Sequence, residues 1–436
     1  MAAVRHRQVE ANGISMHVAE AGPAGSSAPA VLFVHGFPEL WYSWRHQMGY
    51  LAARGYRCVA PDLRGYGGTT APPAPSSYTV FHIVGDLVAL LDALELPQVF
   101  VVGHDWGAIV SWNLCLLRPD RVRALVNLSV AFMPRRPGVK PLEYFRAAYG
   151  DDYYVCRFQE PGVEAEFGAF DLKSFFKLAL TVQTTGSSAM SLRKMQAYKK
   201  EIKLPSWLSE EDVSYLASVY AKTGFAGGVN YYRCLDLNWE LMAPWTGAKV
   251  QVPTKFIVGD GDLAYHHPGV KNYIHKGGLK MDVPMLEEVV VIKGAGHFVQ
   301  QERAQEISEH IYDYIKKFGT ELKSSGNFCS AADYSHMDHR HDMKFPSTTD
   351  RMKCTGDSRS IGQTAAESKS GRALCCSNAL PGNPAGGKGK CGRRGRGTAS
   401  GKTRRRPRVW PVFPLGGPSL AGWIGRIRMR RRLQSE

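Results

Sequence analysis

VFVVGHDWGAIVSW, residues 99–112, holds an apolar run, a Gly-x-Asp-x-Gly turn and a second apolar run. Val99–Val102, four consecutive apolar residues rich in β-branched valine, reads as a buried strand. From Trp106 onward the text reads as an apolar helix. A strand that turns sharply into a helix holds the residue at the turn clear of both elements, the geometry of a nucleophile elbow. Gly103 and Gly107 keep side chains out of that tight approach. The residue at the tip is Asp105. Its carboxylate cannot act as the hydroxyl of a serine esterase does. It can displace at a saturated carbon, giving an alkyl ester that water must then hydrolyse. A lone Asp often only shapes a turn or caps a helix, but here both glycines and both flanking elements are in place.

Outward from this segment, short apolar runs alternate with helical text. Val31–Val34, Arg57–Ala60, Ala124–Leu128, Phe256–Val258 and Val289–Ile292 read as further buried strands. Val80, Ile83, Val84, Leu87, Leu91 and Leu94 recur at helical spacing, as do Ile307, Ile311, Tyr314 and Phe318. This alternation predicts an α/β fold with a mostly parallel sheet flanked by helices. It breaks between about Met133 and Trp245, where aromatic-rich helical text such as Leu172–Val182 and Glu210–Lys222 replaces the strands. Loops beyond the carboxyl ends of the strands form the ligand crevice in such folds, so a helical insertion there is a natural cap. The expected organisation is a core of 1–132 and 246–318, a cap of 133–245, and a tail of 319–436.

The tail differs from the rest in composition. Of the 55 basic and 39 acidic residues, 23 and 8 lie in 319–436, leaving 32 and 31 upstream. The first 318 residues are therefore almost neutral, and the basic character belongs to clusters such as GGKGKCGRRGRG and KTRRRPR. Without hydrophobic periodicity this segment buries too little apolar surface to offset chain entropy, so it is expected to be disordered. Its basic runs could bind nucleic acid or direct nuclear import. They lack aromatic interleaving, and an unselected extension is the preferred reading. No CxxC pair occurs among the nine cysteines, which argues against a zinc site or a disulfide framework. MAAVRHRQVE lacks the apolar core of a secretory signal, and no apolar run is long enough to span a bilayer. A soluble, reducing, cytoplasmic setting is expected.

An ester on Asp105 needs a general base, and His297 stands in GAGHF just after the strand Val289–Ile292. Nucleophile, acid, histidine is the chain order expected of this architecture. FIVGDGD offers Asp260 and Asp262 as the orienting acid. Asp262, further into the loop, is preferred, and Asp260 is expected to structure the turn. His35, His104, His266 and His267 are expected to be structural. The tetrahedral intermediate needs paired N–H donors. His35-Gly36-Phe37-Pro38 follows the strand Val31–Val34 and offers the Phe37 N–H, and Trp106 offers the second. His35, Gly36 and Pro38 complete that pocket motif.

With these residues in hand, the sequence resembles the soluble, plant-type epoxide hydrolases of the α/β-hydrolase fold over essentially all of residues 1–318. The resemblance rests on HGFPELWYSWRHQ, PDLRGYG, GHDWGA, YYVCRFQEPG, GFAGGVNYYR, VGDGD and GAGHF in that order. GHDWG alone also occurs in related dehalogenases. The resemblance implies an epoxide and water as reactants, no cofactor and no metal. It also implies two cap tyrosines that donate hydrogen bonds to the epoxide oxygen, matching Tyr154 and Tyr232, with Tyr153 and Tyr231 as the neighbouring alternatives. Phenols suit the task, because as neutral acids they stabilise a developing alkoxide without quenching the carboxylate. The sequence departs from the family pattern at Ala108, at Gly68-Thr69 and in the long tail. A haloalkane or haloacid dehalogenase and a non-enzymatic ligand-binding protein are the alternatives. The dehalogenase is disfavoured because Phe37 has no side-chain donor for a halide.

Overall fold

The nearly continuous apolar runs become strands buried on both faces, as parallel sheets under two helical layers require. In the computed structural model, residues 3–25, 28–181, 195, 198 and 201–319 are described. The expectations for the tail therefore fall outside the described residues from 320 onward. The strands are β1 Arg5–Ala11, β2 Ile14–Ala21, β3 Ala30–Val34, β4 Arg57–Pro61, β5 Val99–His104, β6 Val122–Leu128, β7 Thr254–Gly259 and β8 Leu286–Ile292. They form one sheet in the order β1-β2-β4-β3-β5-β6-β7-β8. From β4 to β8 every pairing is parallel, and β3, β4, β5 and β7 are buried along their whole length.

β1 and β2, which sequence reading did not identify, pair antiparallel and extend the sheet beyond β4. β1 is an edge strand, RHRQVEA, whose first four residues are exposed. Charged side chains on an edge guard it against further pairing and also erase the apolar signature of a strand.

Three helices flank the first half of the sheet: α1 Arg45–Ala52, α2 Val80–Ala93 and α3 Trp106–Leu117. Thr79 caps α2, its side chain accepting from the His82 N–H, and the residues that recur at helical spacing face the core. Between β6 and β7 the chain is helical: α4 Pro141–Tyr149, α5 Tyr154–Arg157, α6 Glu164–Phe167, α7 Leu172–Thr181, α8 Glu210–Thr223, α9 Ala226–Arg233 and α10 Leu235–Leu241. A reciprocal Ser209–Asp212 capping box fixes the start of α8. α11 Ala304–Ile315 buries Ile307, Ile311 and Tyr314.

Polar contacts tie the inserted helices to the sheet layer. Tyr42 donates to Asp212 at 2.8 Å, Trp41 to Tyr215 at 3.0 Å, Tyr220 to the Glu39 carbonyl at 3.2 Å and Tyr231 to the Arg64 carbonyl at 3.0 Å. Each contributes about 1 kcal/mol net. The insertion is thereby held over one particular place. Strand order reverses beside β3, whose neighbours are β4 and β5, so the carboxyl ends of β3 and β5 form the topological switch point.

Candidate active site

The loops that leave β3 and β5 meet at the switch point. Asp105 sits at the turn from β5 to α3 with φ 54° and ψ −120°, a conformation that non-glycine residues adopt only when their surroundings enforce it. Close packing does the enforcing. A Cβ on Gly107 would lie 2.0 Å from the Val34 carbonyl oxygen, and one on Gly36 would lie 2.4 Å from the Asp105 Cβ. Only glycines at these positions let β3, its loop and the elbow share one space.

Asp105 is surrounded by donors. The Phe37 N–H donates to Oδ1 at 2.8 Å. Trp106 opens α3, so its N–H has no carbonyl within the helix to satisfy it. His297 Nε2 stands 3.5 Å from Oδ2. Burial pushes the Asp105 carboxyl up, but the hydrogen bond and charge of His297, with His104 and the Phe37 N–H, bring it below the usual range. Asp105 is therefore ionised.

Behind His297, Nδ1 is 2.9 Å from Asp262 Oδ1 and 3.1 Å from Ser129 Oγ. Asp262 is fully buried, and its Oδ1 also accepts from the Ala264 N–H at 2.8 Å. Burial alone would lower the His297 pKa, yet the charges of Asp262 and Asp105 raise it well above the ordinary histidine value. Asp260 lies elsewhere, accepting from the Gly294 N–H at 2.8 Å.

A cavity of about 200 Å³ opens in front of these groups, lined by Phe37, Pro38, Asp105, Trp106, Tyr154, Tyr232, His267 and His297 together with an apolar wall that includes Phe132, Leu180 and Val270. The Tyr154 and Tyr232 rings are 5.6 Å apart, edge to face. Burial raises both phenols well above their ordinary pKa, and the Asp105 charge adds to it, so both stay protonated. Tyr153 and Tyr231 do not line the cavity: Tyr153 reaches His267 Nε2 at 3.2 Å, and Tyr231 turns to the Arg64 carbonyl.

The sequence-derived residues thus gather as follows. Asp105, His297, Tyr154, Tyr232, Phe37, Trp106 and Pro38 share the cavity, with Asp262 directly behind His297. Gly36 supports the elbow from behind. His35 is also behind it, fully buried, with Nδ1 against the Gly36 carbonyl and Nε2 accepting from the Leu63 N–H. His104 bridges Glu39 and the His297 carbonyl at 2.8 and 2.7 Å. His266 holds the Asp260 carbonyl.

Three groups escaped sequence reading. Ser129 follows β6 with φ 72°, and Glu302 accepts from the Gly296 and Phe298 N–H groups on either side of His297. His267, expected to be structural only, is part of the cavity wall. For Ser129 the available signal was its place at the carboxyl end of a strand. Among the described residues no cluster of three His, Cys, Asp or Glu is arranged to hold a metal ion, and no helix is long and apolar enough to cross a membrane.

Residues 29–304 match the family described as alpha/beta hydrolase fold. Over 319 residues the chain is 60% identical to epoxide hydrolase 1 of Siraitia grosvenorii, covering 73% of this chain and all of that one. It is 38% identical over 335 residues to epoxide hydrolase A of Mycobacterium tuberculosis, covering 74% of this chain and all of the relative. Among solved structures, an epoxide hydrolase from Vigna radiata is 59% identical with a TM-score of 0.68, covering 72% of this chain and 98% of that one. Potato epoxide hydrolase I is 55% identical with a TM-score of 0.67, covering 72% and 100%. With an aspartate at the elbow, a histidine–aspartate pair facing it and relatives alike over their full lengths, the chain belongs to the epoxide hydrolases of the α/β-hydrolase fold.

Proposed function

We propose that this chain opens epoxides to vicinal diols through an ester on Asp105. One observation carries the reading: an ionised carboxylate held by the Phe37 N–H shares a single cavity with His297 and with two protonated phenols.

Ring opening begins when Tyr154 and Tyr232 donate to the epoxide oxygen. Asp105 Oδ2 attacks a ring carbon, the C–O bond breaks, and the departing oxygen takes a phenolic proton. The ester has no charge, so His297 loses one of the two carboxylates that hold its pKa up. The proton it carried in the free enzyme replaces the one the phenol gave. Neutral His297, oriented by Asp262, then takes a proton from water, and the resulting hydroxide attacks the ester carbonyl. Phe37 and Trp106 N–H groups hold the oxyanion. Collapse expels the diol as its alkoxide, which takes the proton back from His297; the proton left on the new Asp105 carboxyl then passes to His297, restoring the carboxylate and the protonated histidine of the free enzyme.

Residues 133–245 serve as a cap over the core of 1–132 and 246–318, excluding bulk water and supplying both phenols. The apolar cavity wall supports a lipophilic substrate. Four unpaired buried thiols, Cys58, Cys115, Cys156 and Cys234, support a reducing, cytoplasmic setting.

Two measurements check this reading. The purified chain should turn over aromatic and fatty-acid epoxides and leave a haloalkane series untouched; halide release at a comparable rate would support the dehalogenase alternative. In single turnover, Tyr154→Phe and Tyr232→Phe should each slow ester formation about tenfold or more, the worth of one hydrogen bond to a developing charge, and the double variant should lose nearly all of it. Wild-type ester formation in the double variant would remove the phenols from the mechanism.

A further inference from the structure

The mechanism above makes no use of His267, although this residue lines the cavity together with the reacting groups. Its imidazole is fixed from three directions. Nε2 lies 3.2 Å from the hydroxyl of Tyr153, the Phe145 ring meets it edge to face at 5.9 Å between centroids, and the Tyr149 ring lies at 5.5 Å. The ring cannot turn without breaking its bond to Tyr153. Among the described residues Nδ1 has no hydrogen-bond partner, and it is not one of the sealed polar atoms that lack one. It therefore opens onto space that a partner can enter.

Other polar side chains of the cavity are already engaged. Asp105, His297, Tyr154 and Tyr232 are assigned to the reaction, Glu302 accepts from the N–H groups on either side of His297, and Tyr273 donates to Asp282 at 2.8 Å. The wall beside His267 is apolar, formed by Phe145 and by Val270, whose N–H donates to the His267 carbonyl at 3.1 Å. His267 thus sets one fixed, unpaired nitrogen in an otherwise apolar stretch.

The state of the ring narrows what that nitrogen can bind. Burial, the largest influence, lowers His267 to a pKa of about 4, with Asp262 acting against it and His297 in the same direction. Near neutral pH the ring is uncharged, with one N–H and one bare nitrogen. If the Tyr153 phenol donates to Nε2, Nδ1 is the donor; if the phenol accepts, Nδ1 is the acceptor. A hydroxyl on the ligand serves either case, because it both gives and takes. A carboxylate suits the place poorly, since an uncharged ring offers it no counter-charge in a desolvated site. A plain hydrocarbon displaces water from Nδ1 and leaves a polar atom unpaired.

We propose that His267 is a specificity-determining residue whose Nδ1 pairs with a hydroxyl of the substrate, so that the cavity selects lipophilic epoxides whose chain also carries a hydroxyl. The proposal rests on the reading of this chain as an epoxide hydrolase and names the substrate class of that same site.

The test compares terminal epoxyalkanes of increasing length with the same molecules hydroxylated, or carboxylated, at the far end. At the length that brings the hydroxyl to His267, the wild type should favour the hydroxylated member in kcat/KM. His267→Leu should lower that hydroxyl-to-plain ratio about tenfold, the worth of one well-made hydrogen bond. The loss should appear in KM with kcat unchanged, because the bond is made equally in ground and transition states. Turnover of the plain epoxides should stay at or above the wild-type rate, which shows that the variant is folded. His267→Asn, whose amide takes the place of Nδ1, should restore most of the ratio. No hydroxyl preference at any length, a preference that survives His267→Leu, or equal loss on both series would overturn the proposal, the last leaving His267 as a support for Tyr153 alone. A carboxylate preference abolished by His267→Leu would also overturn it, by making the ligand an anion. If the protein opens no epoxide at all, the underlying reading falls, and this inference with it.

Discussion

When the His297→Gln variant is mixed with an epoxide, its intact mass rises by the mass of that epoxide, and steady-state turnover falls about a thousandfold, the range for losing a general base. Glutamine occupies the space and retains donors, but it cannot take a proton from water. The two half-reactions therefore separate: ring opening needs the Asp105 carboxylate and the phenols, whereas ester hydrolysis needs the base. The pH of the experiment matters, with a definite sign. In the free enzyme His297 is the main influence holding the Asp105 carboxyl down against burial. Removing it raises that pKa, so more of the variant is protonated and unreactive as the pH falls. Adduct should accumulate more readily as the pH is raised. A variant that shows no adduct across that range, or that still turns over at the wild-type rate, would take the role of base away from His297.

Wild-type hydrolysis of the ester has a related dependence. The proton on His297 is held by two carboxylates in the free enzyme and by Asp262 alone once Asp105 is esterified. The histidine pKa therefore drops when the ester forms. Hydrolysis requires the neutral ring, so its rate rises as pH climbs through this lowered value.

What the sequence made legible follows from how local each feature is. The elbow could be read because strand, turn and helix fall within residues 99–112, and Gly103 and Gly107 flank its tip in sequence. The loop from Gly259 was harder, because Asp260 and Asp262 are two residues apart in the same turn chemistry. They part only in three dimensions, where Asp262 is enclosed against His297 and Asp260 caps the Gly294 N–H. β1 was illegible because an exposed, charged edge suppresses apolar alternation. The pairing of Tyr153 with His267 joins positions 114 residues apart, and no spacing rule reaches so far. Ser129 and Glu302 belong to the same class. Each is an ordinary polar residue whose meaning comes from His297, which approaches from a different part of the chain.

The central claim is that the oxygen delivered to the substrate comes from the protein. Attack by Asp105 Oδ2 on carbon, followed by attack of water on the Asp105 carbonyl, leaves an aspartate oxygen in the diol and a water oxygen in the carboxylate. Attack by water directly on the epoxide gives the same diol by another route. A single turnover in ¹⁸O-water with enzyme in excess separates the two. The account predicts a first-turnover diol that is largely unlabelled and a peptide containing Asp105 that has gained one heavy oxygen. A diol labelled in the first turnover, with an unlabelled Asp105 peptide, would contradict it and leave His297 activating water against the epoxide itself.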